Sequence, residues 1–96
     1  MLIPYKFKLG DTNFHVVFNN KMAERGKCWP SIGLIELRYL QPKRKRVRSV
    51  DLAETFWHEA THAILHDMGH KLCSDEKFVT EFSKRLNQIV HTAKLP

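Results

Sequence analysis

The period of the apolar positions changes once along this chain, near residue 50. Before that point they form short β-compatible runs, Tyr5 to Leu9 and Phe14 to Phe18. Gly10-Asp11-Thr12-Asn13 separates the two and predicts a hairpin turn. Ile32 to Leu40 predicts a third strand, with Ile32, Leu34 and Glu36 on one face and Gly33, Ile35 and Leu37 on the other. Asn19 to Lys27 is polar and fits a loop or a short helix. Beyond Asp51 the apolar residues recur every three or four positions, which is the helical period. Leu52, Phe56, Ala60, Ala63 and Ile64 share one side, extended by Ala53 and Trp57, and Gly69 is the stop signal. This predicts a first helix from about Asp51 to Met68, capped by Ser49 or Asp51, with Glu54 completing a capping box. After His70 to Ser74, a second helix from about Asp75 to Ala93 carries the stripe Phe78, Val79, Phe82, Leu86, Ile89 and Val90. The order β, β, β, α, α predicts an α+β fold, a small antiparallel or mixed sheet packed on two helices.

At 96 residues, 43% of them hydrophobic, the chain has room for one domain, residues 1–96, and enough apolar content for one core. It contains no repeat, no low-complexity stretch and no Gly/Ser linker. No segment approaches the roughly 18 apolar residues of a membrane span, and Met1 to Gly10 lacks the apolar run of a signal peptide. The expectation is therefore a cytoplasmic protein without membrane contact, in which Cys28 and Cys73 stay thiols.

The net charge of +6 is local. Arg38, Lys43, Arg44, Lys45, Arg46 and Arg48 lie between Leu37 and Val50 with no acidic residue among them, and elsewhere ten basic residues meet ten acidic ones. Pro42 and the crowded cations predict a loop there. Such a run is either a solvated loop or a phosphate-contacting patch for nucleic acid. No aromatic lies between Gln41 and Val50 to provide a stacking platform.

Four of the six histidines fall between His58 and His70. Within the first predicted helix, His58-Glu59-Ala60-Thr61-His62 is an H-E-x-x-H pattern. Residues at i and i+4 share a helix face about one turn apart, so both imidazoles reach one zinc ion. Glu59 beside them is placed to take a proton from water activated by the metal and pass it to a leaving amine.

A catalytic zinc ordinarily takes a third protein ligand. His66 is about 12 Å of helix from His58, too far to share the ion. The metzincin extension is absent, since Leu65 and Met68 stand at its Gly and His positions. The residues leave open Glu76, Asp75 or Glu81 on the second helix, and His70 past Gly69. His66, His70 and His15 are the remaining candidates to stabilise an oxyanion, and His91 lies too far along the second helix to assign.

Three runs together, Gly33-Leu34-Ile35-Glu36-Leu37, Thr55 to Leu65 and Asp75-Glu76-Lys77-Phe78-Val79, resemble small gluzincin-type zinc metallopeptidases. The chain is similar to the minimal domains of the ImmA/IrrE class and to metallopeptidase-like proteins of phages and prophages, over about Cys28 to Val90. The resemblance implies a minimal zincin-like domain with H-E-x-x-H on the first helix. It implies His58 and His62 as ligands, Glu59 as general base and Glu76 as third ligand. The usual E-A-N-x-F-A signature is replaced here by Glu76-Lys77-Phe78-Val79-Thr80-Glu81-Phe82. By the same resemblance, Ile32 to Leu37 would be the exposed edge strand along which an extended substrate pairs.

Beside a basic nucleic-acid-binding protein whose histidine cluster is incidental, two functions that use the metal site follow. One is a zinc-dependent peptidase acting on a cytoplasmic protein or peptide. The other is a non-catalytic, metal-stabilised scaffold that binds a host protein, or nucleic acid through Lys43, Arg44, Lys45, Arg46 and Arg48.

Overall fold

Alternation along the second apolar run builds the centre of the sheet: Phe14 and Val16 are buried while Asn13, His15 and Val17 face solvent. The computed structural model describes residues 3–41 and 45–96. Four strands form one mixed sheet: β1 (Lys6–Leu9), β2 (Thr12–Phe18), β3 (Gly26–Trp29) and β4 (Leu34–Leu37), in the order β1-β2-β4-β3. β1 and β2 are an antiparallel hairpin with Leu9 opposite Thr12, so the turn is the pair Gly10-Asp11. β2 runs parallel to β4, and β3 is antiparallel to β4.

Two helices follow, α1 (Ser49–Asp67) and α2 (Glu76–Thr92), joined by a 3₁₀ turn over Lys71–Ser74. The fold is α+β, as the pattern predicts, but the helices are layered unequally. α1 lies on the sheet, and α2 packs chiefly on α1. Phe14, Val16, Ile35, Leu37, Phe56, Ala60 and Ala63 make the core, with Phe7, Leu9, Leu52 and Trp57 packed against it. No described helix is long and apolar enough to cross a membrane.

The structure revises several expectations. Polar Asn19 to Lys27 is neither simple loop nor helix, because its end begins β3, a fourth strand. The strand expected from Ile32 is shorter: Pro30–Ile32 is a 3₁₀ turn, and β4 starts after Gly33. β4 sits between β2 and β3, so it is interior, and the edge on that side of the sheet belongs to β3. No capping box closes α1. The helix begins after Arg48, and Asp51, already in the first turn, is held by the Arg48 guanidinium at 2.8 Å. Gly69 does end α1, with φ of 63°.

The largest revision concerns α2. Its buried residues are Val79, Ser83 and Asn87, whereas Phe82 of the apolar stripe is 48% exposed and Ile89 and Val90 face solvent. Phe78 and Phe82 stack on each other at the surface, 5.7 Å apart. Small and polar side chains at a four-residue spacing meet α1 instead, and Asn87 Nδ2 donates to the Val50 carbonyl at 3.5 Å.

Gly33 joins the 3₁₀ turn to β4 with φ of 65°, and a Cβ there would stand 2.3 Å from the Asn13 carbonyl oxygen. Gly69 has a similar φ but nothing within 4 Å of such a Cβ. Urea denaturation is expected to show Gly69→Ala costing about 1 kcal/mol, the left-handed penalty alone. Gly33→Ala, which adds a backbone clash, is expected to cost about 3 kcal/mol or more. Equal losses would contradict this reading of the β2–β4 junction.

Candidate metal centre

The i, i+4 spacing on α1 sets the His58 and His62 rings 5.0 Å apart, centroid to centroid. The first turn of α2 brings Glu76 to both. Its Oε2 lies 3.1 Å from His58 Nε2, and its Oε1 lies 2.9 Å from His62 Nε2. One ligand atom from each of the three residues falls within 4.8 Å of the others, which is metal-binding distance.

The hydrogen bonding shows why a cation fits there. His62 Nδ1 lies 2.6 Å from the Cys73 carbonyl oxygen. A carbonyl only accepts, so Nδ1 carries the proton, and in the neutral ring Nε2 presents a lone pair. That lone pair faces a Glu76 carboxylate oxygen, which also offers only lone pairs. A proton or a cation must stand between them. His58 is pushed toward the neutral form by burial, against the pull of the Glu76 charge, so it too is available as a neutral ligand. Two imidazoles and a carboxylate are a donor set suited to zinc.

Glu59 lies on the sheet side of α1 and is only 8% exposed. Burial raises its pKa to about 7; the Glu76 charge adds to the rise and His62 opposes it. β3 comes unusually close at this point. A Cβ on Gly26 would lie 2.6 Å from Thr55 Cγ2 and 3.1 Å from Glu59 Cγ, so only glycine lets the strand pass so near the helix. Cys28, two residues on, has its thiol pushed up to about 12 by burial and by the Glu59 charge, which makes it inert.

Two lobes of a cleft open on either side of this point, of about 400 and 470 Å³, and both are lined by Gly26, His58 and Glu59. The first extends toward Arg25, Glu54 and Thr80, and the second toward Lys27, His62, His66 and Cys73.

The other sequence candidates are engaged elsewhere. Asp75 is the N-cap of α2, its Oδ1 accepting from Phe78 N at 3.0 Å. His70 caps the 3₁₀ turn, accepting from Leu72 N. Glu81 pairs with Arg85 at 2.7 Å. His15 stands exposed on the outer face of the sheet, and His91 Nδ1 meets the Asn87 carbonyl within α2. His66 lines the cleft outside the three-residue group. Two contributors had no side-chain signal. Cys73 acts through its carbonyl, and Gly26 acts by having no Cβ.

No family model, curated protein or solved structure matches this chain.

Isothermal titration of the apo protein is expected to give about one zinc per chain. His58→Ala, His62→Ala and Glu76→Ala should each weaken binding about tenfold or more, and His66→Ala far less. Asp75→Ala should cost about 1 kcal/mol of stability through the lost cap while leaving zinc affinity intact. Wild-type affinity in Glu76→Ala would remove Glu76 from the site.

Proposed function

We propose that this chain is a zinc-dependent peptidase of gluzincin type, similar in plan to the ImmA/IrrE class, which cleaves an extended segment of a cytoplasmic protein. The observation that supports this most is the convergence of His58, His62 and Glu76 beside the buried Glu59, in a cleft bordered by a free strand edge. His58, His62 and Glu76 would hold the zinc. Bound there, the metal supplies Lewis acidity that polarises a peptide carbonyl and acidifies a neighbouring water.

The chain's own groups do the rest. Arg38 N donates to the Arg25 carbonyl, and Gly26 and Cys28 stand opposite Leu37 and Ile35. Hydrogen-bonded and non-hydrogen-bonded pairs alternate in an antiparallel ladder, so the backbone groups of Gly26 and Cys28 point to the free side of β3. An extended substrate would pair there, which fixes its carbonyls beside the α1 histidines. Glu59 takes a proton from the attacking water and delivers it to the departing amide nitrogen, so the C–N bond breaks to a carboxylic acid and an amine. A carboxyl held near neutrality by burial suits both transfers. Cys73 fixes the His62 tautomer through its carbonyl.

Incubation of the zinc-loaded protein with an unfolded protein substrate is expected to release new amino termini. Glu59→Gln should abolish the cleavage, by about 100-fold or more, and leave zinc affinity unchanged. Equal cleavage by Glu59→Gln and wild type would contradict the assigned base. Full zinc binding with no cleavage of any substrate by the wild type would favour the non-catalytic scaffold.

A further inference from the structure

We propose that Lys45 and Arg46, with the exposed Phe18–Tyr39 aromatic pair, form a surface that binds single-stranded nucleic acid. This surface lies outside the metal centre.

The structure sorts the basic run into two kinds of cation. Arg38 is spent internally, its Nη1 donating to the carbonyls of Met22 and Ala23 at 3.2 and 2.7 Å. Arg48 is paired with Asp51. Lys45 and Arg46 are exposed, and among the described residues their side chains have no ion-pair partner. Lys43 and Arg44 lie outside the described residues.

These two cations are held by backbone. Val47 N donates to the Tyr39 carbonyl at 2.8 Å, Gln41 N donates to the Lys45 carbonyl at 2.6 Å, and Leu40 and Arg46 form an antiparallel bridge. The base is pinned to the end of β2, since Asn20 Oδ1 accepts from both Tyr39 N and Leu40 N. β2 ends at Phe18, whose ring meets Tyr39 edge to face, 5.4 Å between centroids at 87°. The two rings are 49% and 38% exposed. No aromatic neighbours the cations within the loop sequence, so the fold supplies the stacking surface by bringing Phe18 across from β2.

Uncompensated cations attract phosphates, and exposed ring faces beside them accept unstacked bases. A duplex keeps its base faces covered and would use only the charge. The combination therefore fits a single strand.

The test is fluorescence anisotropy with a labelled oligothymidylate of about 20 nucleotides, long enough to fill a typical single-strand site. Binding is expected to weaken with salt, to exceed that of a duplex of equal length, and to persist with chelator present. A Lys45→Ala/Arg46→Ala double variant should bind about tenfold more weakly and lower the salt slope by about 1.4. Tyr39→Leu should weaken binding about fivefold or more with the slope unchanged. Circular dichroism identifies a variant that has lost its fold, and Phe18→Leu then replaces Tyr39→Leu. The proposal fails if the oligonucleotide does not bind at low salt, if the double variant binds like wild type, or if the aromatic variants do. Tighter binding to phosphatidylserine vesicles than to the oligonucleotide would assign the surface to membranes and overturn it.

Discussion

The carboxylate of Glu76 stands between two imidazoles one helical turn apart, and the rotation that α2 takes about its own axis is the one that makes that contact. Glu76, Val79, Ser83 and Asn87 fall on one side of α2 at spacings of three and four, and the last three are its buried residues. Burying Phe82 in place of Ser83 would turn the helix by about 100°, one residue's rotation, and carry Glu76 off the histidines. The more apolar side therefore stays in solvent. Glu76 itself remains 70% exposed, a surface carboxylate aimed by the packing of residues three to eleven positions further along. Asp75 caps the start of that helix, its Oδ1 accepting from Phe78 N.

α1 meets the complementary demand. One of its sides must cover the sheet with Phe56, Ala60 and Ala63, while another presents His58 and His62 to a cleft. Glu59 lies between these sides, buried enough to be pushed toward neutrality yet bordering the cleft. That placement requires β3 to pass close by, and Gly26 permits it. The burial of the Glu59 carboxyl beside the free edge of β3 thus follows from one strand lying against one helix, while the third member of the group, Glu76, comes from α2.

Much of this was legible in the sequence, for particular reasons. His58, Glu59 and His62 were readable because helical spacing alone puts the two imidazoles on one face. The division of the last strand into two faces is readable too: Ile35 and Leu37 share one, and the structure shows it to be the buried one. For the third group the residues left Glu76, Asp75, Glu81 and His70 open, and the structure brings Glu76 to the histidines. β3 was not legible, because Gly-Lys-Cys-Trp is short and shows no apolar alternation. Of the α2 stripe Val79 is buried but Phe82, Ile89 and Val90 are not, because periodicity finds the greasiest side, whereas the side that packs on α1 also carries Ser83 and Asn87. The cap of α1 was misjudged because Arg48 claims Asp51 as an ion pair.

The central claim is that Glu76 and the two imidazoles of α1 form one tetrahedral zinc site with an open position. Crystallographic anomalous diffraction at the zinc edge, on the zinc-loaded protein, tests it most directly. The account predicts a single strong peak with His58 Nε2 and His62 Nε2 at about 2.0–2.1 Å and a Glu76 oxygen at about 2.0–2.2 Å. A peak ligated by His66, His70 or Asp75, with Glu76 turned away to solvent, would contradict it.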